Sequence, residues 1–261
     1  MKISFSNIAW NFEDTDKICT LLKGYNFSAL EIAPTIITPA PYTKNTNDIK
    51  DFAKSISSKY GFSISSMQSI WFGITGNIFN FQDTPTLIDY TKKIIDLASD
   101  INCPNLVFGC PKNRNMKKHD TPEKVIPFFK TIGDYAGEKD TCIALEANPT
   151  IYNTNFINTT KDAFAFAKAV NSKGLKVNVD LGTIIYNGES LEPLSKNPEF
   201  INHIHISEPN LVPIKKHEIH QKLYNLLKTT NYQNFISVEM KKPEKIGIIE
   251  EVAKYISETF N

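Results

Sequence analysis

CIALEAN (142–148), LKVNVDLGT (175–183), INHIHISEP (201–209) and NFISVEM (234–240) are four short apolar runs, each with one side chain near its C-terminal end that can bind a metal: Glu146, Asp180, His205 and Glu239. The intervals between those residues are 34, 25 and 34. A (β/α)8 barrel of ~250 residues gives roughly 31 to each strand–helix unit. The intervals are therefore those of four consecutive barrel strands, each offering one ligand from the end where barrel enzymes carry their chemistry.

Outward from those runs the same alternation covers the chain. Further β-like segments lie at 3–10, 28–34, 63–70 and 105–110, which makes eight in all. Amphipathic stretches fall between them at about 14–24, 46–60, 85–101, 121–138, 159–172, 188–199, 214–229 and 245–258. In YTKKIIDLASDI the residues Ile94, Ile95, Leu97 and Ile101 recur at helical spacing. Thr159, Thr160 and Asp162 read as a helix start. Gly24, Gly61 and Gly174 stand where C-cap glycines belong, just before strands. Alternating β and α segments predict a parallel sheet with crossover helices, and eight units close a barrel. The competing open doubly wound sheet usually shows a glycine-rich turn after its first strand. Here that turn reads AWNFEDTDKI, without glycine. No linker or composition shift divides the chain, so residues 1–261 are expected to form a single α/β TIM barrel domain. Two long stretches, 37–45 and 109–124, are expected to be βα loops on the catalytic face, where function is commonly carried.

The net charge of +1 supplies no basic footprint for nucleic acid. Of 29 basic residues only Arg114 is an arginine, so little of the bidentate anion recognition that arginine favours is available. Cys19, Cys103, Cys110 and Cys142 show neither CxxC spacing nor the density of a disulfide framework. The N-terminus lacks a signal-peptide apolar core, and no run reaches the ~18 apolar residues of a membrane helix. A cytoplasmic protein with no membrane partner is expected.

Side chains alternate between the barrel interior and the helix layer. Glu146 shares parity with Ala144 and Asn148, Asp180 with Asn178, His205 with His203, and Glu239 with Ser237. The opposite parity holds Ile143, Leu145, Val177, Val179, Ile204, Ile206, Ile236 and Val238. The polar set therefore points inward together. A single inward Asp or His is more often a satisfied structural residue than a ligand. Four on consecutive strands favour a shared divalent cation, because isolated buried charges are very costly.

LEIAP (30–34), ALEANP (144–149), VNVDLGT, HIHISEP and ISVEM resemble strand motifs of the sugar phosphate isomerase/epimerase group in the xylose isomerase-like TIM barrel superfamily. The resemblance spans essentially the whole chain and is sharpest after residue 140. It implies that Glu146, Asp180, His205 and Glu239 bind one divalent metal, and that Glu146 and Glu239 also act as catalytic acid and base. Endonuclease IV relatives use extra histidines for two more zinc ions, where this chain has Gln68, Gly109, Cys110 and Thr183. A nuclease is therefore disfavoured. Ketose epimerases often carry a histidine at the position of Thr183 and an arginine at that of Leu211, so substrate recognition is expected to differ from theirs. Homo-oligomers are common in the group.

A carboxylate-rich site with one imidazole suits Mn²⁺, Mg²⁺ or Co²⁺, with Zn²⁺ as an alternative. Such an ion can chelate a carbonyl and the adjacent hydroxyl and stabilise an enediolate, while a positioned base removes the neighbouring proton. The expected function is a divalent-metal-dependent isomerase or epimerase acting on a small carbohydrate. The alternatives are an inosose dehydratase-like lyase and a non-catalytic sugar-binding barrel.

Glu31 and Gln68 are candidates for binding sugar hydroxyls, against simple pairing with polar neighbours. Trp71, with Trp10 and Phe72, is a candidate apolar wall, against ordinary packing. Glu208 is a candidate for orienting a ligand or the substrate. His203 reads as a satisfied core histidine, and His217 and His220 read as surface histidines at a helix start. Lys112, Arg114, Lys241 and Lys242 could bind an anionic group, against a solvated charge cluster.

Overall fold

The computed structural model describes residues 1–260. Eight parallel strands close into one barrel in sequence order. They are β1 (Lys2–Ser6), β2 (Ala29–Ile32), β3 (Ser63–Met67), β4 (Leu106–Phe108), β5 (Ile143–Glu146), β6 (Leu175–Asp180), β7 (Ile201–Ser207) and β8 (Phe235–Glu239). The outer layer holds α1 (Thr15–Gly24), α2 (Pro34–Ile37), α3 (Thr46–Tyr60), α4 (Thr84–Asp100), α5 (Ile126–Glu138), α6 (Thr160–Val170), α7 (Leu181–Asn187), α8 (Glu192–Lys196), α9 (Glu218–Thr229) and α10 (Gly247–Phe260). The single-domain (β/α)8 barrel expected from the alternation is what forms, and β1 pairs with β8 to complete it.

The apolar parity of each strand faces the helices. Leu145, Val177, Val179, Ile204, Ile206, Ile236 and Val238 are all buried in the core cluster that joins the sheet to the helix layer. Register then lines up the opposite parity across strands. Glu146 lies beside Asn178, Asp180 beside His205, and His205 beside Ser237. A register shift between Val177 and Asn178 adjusts β6 just below the site.

Three local expectations are corrected. The sixth strand does not run to 183. It stops at Asp180, which N-caps α7, so a helix starts where strand was expected. The predicted helix over 188–199 is replaced by α7, which ends at left-handed Gly188 (φ 65°), and the short α8. Gly61 is a left-handed C-cap as expected, but Gly174 is not. Asn171 caps α6 in the left-handed region instead, and Gly174 packs against α5. A Cβ on Gly174 would lie 2.2 Å from the Gly133 carbonyl oxygen. Here glycine is needed for close approach rather than for its φ. Among the described residues no helix is long and apolar enough to cross a membrane.

Candidate metal centre

Glu146, Asp180, His205 and Glu239 converge, with one ligand atom from each within 4.8 Å of all the others. The three carboxylates retain slight exposure (8%, 9% and 8%), while His205 has none. The cluster is thus the floor of an opening, with the imidazole beneath. His205 Nδ1 faces the carboxylates, 3.0 Å from Glu146 Oε1 and 3.1 Å from Glu239 Oε2.

Glu146 and Asp180 are held by neighbours that follow them in the chain and by polar side chains of the adjacent strand. Glu146 accepts from Asn178 Nδ2 at Oε1 (2.7 Å) and from Asn148 Nδ2 at Oε2 (3.0 Å). Asp180 Oδ1 accepts from the Thr183 backbone N–H (2.6 Å) and hydroxyl (2.7 Å) as the cap of α7. Its other oxygen accepts from the Ser207 hydroxyl, whose oxygen in turn accepts from Gly182 N–H at 2.8 Å. Gly109 leaves room for the cluster, since a Cβ there would lie 2.8 Å from Glu146 Oε2. Glu239 is the least tethered of the four, with His205 as its one close polar partner.

The electrostatics call for a cation. Burial first, and then Glu146, push Asp180 up to about 6. Burial, with Glu146 and Asp180 adding to it, pushes Glu239 up to about 7. Burial opposes charge on His205, but Glu31 and Glu239 outweigh it and raise the imidazole well above its ordinary value. Crowded carboxylates that keep protons near neutral pH, beside an imidazole nitrogen aimed at them, are a donor set suited to a hard or borderline divalent ion. Glu146, Asp180, Glu239 and His205 Nδ1 would hold it.

Glu31 does not reach the opening. It is fully buried beneath the site, with Oε2 2.8 Å from His205 Nε2 and 3.2 Å from His203 Nε2. Burial pushes its carboxyl up, but His205 and His203 outweigh this and hold it well below the usual carboxylate range. Gln68 is spent as well, donating to Glu31 Oε1 (3.0 Å) and Ser6 Oγ (2.7 Å). The two expected sugar contacts therefore form a layer that aims His205. A histidine ligand whose second nitrogen donates to a carboxylate is held in the right tautomer and orientation for its metal. Glu31→Gln is expected to weaken Mn²⁺ binding by about 10–100-fold, as such outer partners typically do. Isothermal titration would read it, and unchanged affinity would remove Glu31 from that role.

Trp71 is not a wall over the site. It sits in the helix layer, edge-on to Phe108 (centroids 4.8 Å apart), with its indole N–H donating to Thr91 Oγ1 (3.1 Å). Trp10 is likewise buried and donates to Thr15 Oγ1, whereas Phe72 is 71% exposed. Glu208 braces the loop after β7, its Oε1 accepting from Lys215 N–H (2.9 Å) and lying 2.8 Å from His217 Nε2. His203 is buried as expected, but its Nε2 lacks hydrogen-bond geometry to any partner despite the nearby Glu31. His220 is fully buried rather than solvated, with Nδ1 2.7 Å from Tyr255 Oη between α9 and α10.

Arg114 is the largest departure from the solvated cluster weighed for it. It is fully buried, donating to the Glu146 carbonyl oxygen and to Asn148 Oδ1, both at 2.8 Å. Burial pulls it down to about 10, which leaves it a cation at neutral pH. Because a guanidinium only donates, Asn148 must turn its oxygen toward Arg114 and its Nδ2 toward Glu146. Arg114 thus orients Glu146 through Asn148. Strand parity gave no sign of this, since Arg114 comes from the loop after β4.

Fold and site together define a class: a (β/α)8 barrel with a carboxylate–histidine cluster that could hold a cation at the C-terminal end of its fifth to eighth strands. Residues 19–259 match the family described as xylose isomerase-like TIM barrel, and the chain belongs to that family. Among solved structures it is similar to the 3-keto-D-glucoside 4-epimerase YcjR from E. coli (18% identity, 99% of each chain covered, TM-score 0.78). It is also similar to D-psicose 3-epimerase from Clostridium cellulolyticum H10, whose structure holds D-tagatose (13% identity, 100% of each chain, TM-score 0.78). A third similar structure is the IolI protein with a bound zinc atom (15% identity, 100% of this chain and 95% of that one, TM-score 0.71). No curated protein is significantly similar in sequence.

Proposed function

We propose that the chain is a divalent-metal-dependent epimerase or isomerase of a small sugar or sugar derivative, working by proton abstraction beside a carbonyl. The observation that carries this is the four-residue cluster: three carboxylates around one imidazole nitrogen at the mouth of the barrel. The epimerases among the similar structures support the substrate class.

A divalent ion, when bound, supplies the Lewis acidity that makes a C–H next to a carbonyl acidic enough to remove. The protein supplies the bases. Glu239, pushed up to about 7 and tethered only to His205, is suited to take and return a proton near neutral pH. Glu146, fixed by two amides and braced from behind by Arg114, is the more rigidly aimed carboxylate. Inversion needs a second proton, delivered to the opposite face by the other carboxylate, while the first keeps the proton it took. Return of the first proton to the neighbouring carbon moves the carbonyl.

The test is exchange in D₂O. Ketoses, keto-inositols and their phosphates are incubated with the protein and Mn²⁺, Mg²⁺ or Co²⁺, and deuterium incorporation is read by NMR or mass spectrometry. Incorporation at a carbon beside the carbonyl is expected for at least one compound, with a metal requirement. Loss of a hydroxyl instead would identify a lyase. No exchange with any compound and any metal would end the enzymatic reading.

A further inference from the structure

Arg114, the only arginine in the chain, is held inside the fold by neutral partners alone. It is fully buried, it donates to the Glu146 carbonyl oxygen and to Asn148 Oδ1, and its Nε has no partner. A buried cation without a charged partner is costly, so packing alone does not account for it. The loop that carries it is fixed from several sides. Cys110 turns the chain out of β4 in the left-handed region (φ 43°), which is uncommon for a residue with a Cβ. Asn113 donates to Ile74 O (3.1 Å) and Gly76 O (2.9 Å) in the loop after β3. Asn77 of that loop donates to Asn115 O (2.9 Å). On the other side, Met116 exchanges two hydrogen bonds with the Asn155 amide in the loop after β5 (2.8 and 2.9 Å). The residues flanking Arg114 are thus pinned to both neighbouring loops. Backbone strain of the kind seen at Cys110 gathers where a fold positions functional groups.

What the guanidinium fixes is one oxygen of Glu146. With Oδ1 held by Arg114 at 2.8 Å, the Asn148 amide cannot turn over, and its Nδ2 stays on Glu146 Oε2 (3.0 Å). The two oxygens of that carboxylate face different neighbours. Oε1 is 3.0 Å from His205 Nδ1, the nitrogen aimed at the cluster. Oε2 turns toward the loop after β4, where a Cβ on Gly109 would lie 2.8 Å from it. A carboxylate can offer a divalent ion one oxygen or two. A second oxygen from Glu146 would occupy a position that a chelating substrate needs.

We infer that Arg114 is a positioning residue: acting through Asn148, it keeps Glu146 a one-oxygen ligand, so that the ion keeps room for the carbonyl and hydroxyl oxygens of the substrate. The inference rests on the metal-dependent epimerase or isomerase reading and adds to it the group that limits how many positions the protein itself fills. It also explains why a lone arginine is buried behind a carboxylate instead of standing at the opening to bind an anion.

The experiment uses Co²⁺ and acetohydroxamate, which chelates an ion through two oxygens as a carbonyl and its neighbouring hydroxyl would. Co²⁺ affinity, the visible spectrum of the Co²⁺-loaded protein and acetohydroxamate affinity are measured for wild type, Arg114→Met, Asn148→Ala and the double variant. In Arg114→Met, Co²⁺ is expected to bind no more weakly than in wild type, with a weaker visible band as the ion gains a ligand oxygen. Acetohydroxamate should weaken by about tenfold or more, the low end of what losing an outer partner of a ligand costs. Asn148→Ala and the double variant should match Arg114→Met, because all three remove the same tether. A role in packing alone would lower the melting temperature and weaken both affinities together. An unchanged spectrum and chelator affinity, weakened Co²⁺ binding, or a double variant that shows the sum of the single effects overturns the inference. Should Arg114→Met fail to fold, Arg114→Lys makes the same comparison, since an ammonium keeps the charge but lacks the planar fork that holds both acceptors. If wild type binds no Co²⁺, the metal-dependent reading itself is wrong and the inference falls with it.

Discussion

In Glu239→Gln, deuterium exchange into the ketose pool falls by about 10³-fold or more while the barrel stays folded. A positioned general base contributes roughly 10²–10⁴-fold, and an amide of nearly the same shape cannot accept the proton. Loss of a metal-bound charge adds to the deficit, so the measurement belongs at saturating Mn²⁺, where the base is isolated. Stability should move the other way without metal. Glu239 shares a buried cluster with Glu146 and Asp180, and each adds to the upward push on it. Replacing one carboxylate relieves that crowding, so the metal-free variant should melt no lower than wild type. Exchange above a tenth of the wild-type rate at saturating Mn²⁺ would remove Glu239 from the role of base.

The second large effect is a pH-dependent stabilisation by metal. Asp180 and Glu239 are raised to about 6 and about 7 from ordinary values of 3.8 and 4.5. Between about pH 4 and 7 the folded, metal-free protein holds protons that the unfolded chain has already released. The stability this contributes is complete below about 4 and is lost as the pH climbs through 6 to 7. His205, also raised, acts in the same direction. Metal binding requires those protons to leave, so affinity rises over the same window. At pH 8, Mn²⁺ at 100 times its Kd should add about 2.7 kcal/mol. For a domain of this size that is roughly 5–10 °C in melting temperature. At pH 5 and the same metal concentration most of the shift should disappear. His205→Ala should abolish it at both pH values, since the variant lacks the only imidazole facing the cluster. A shift independent of pH, or retained in His205→Ala, would place the ion elsewhere.

Both expectations start from features that are legible in one dimension. The (β/α)8 fold was readable because the apolar runs recur at a near-constant interval. The convergence of Glu146, Asp180, His205 and Glu239 is readable because period-2 alternation puts all four on the inward parity, and parity survives errors of a residue or two in strand ends. The start of α7 was misplaced because LGT is apolar enough to continue a strand. Only the Asp180 side chain, bonded to Thr183 N–H and Ser207, turns it into a helix cap.

The residues around the ligands were harder to place. Glu31 and Gln68 lie on inward parity and were expected to meet the sugar. Parity gives the face of a strand but not the depth, and both sit one layer below the opening, where they aim His205 instead. Trp71 and Arg114 come from loops, where no periodicity constrains direction. One packs outward among aromatics and the other turns inward beneath Glu146.

The amino-acid sequence by itself therefore determined the barrel and the inward-facing cluster of Glu146, Asp180, His205 and Glu239, because periodic burial and strand alternation are local properties written into residue order. Which polar groups reach the cluster and which lie beneath it were decided only by the tertiary structure. Depth along the barrel axis and contacts between loops are set by strand register and chain crossing, and neither follows from neighbouring residues.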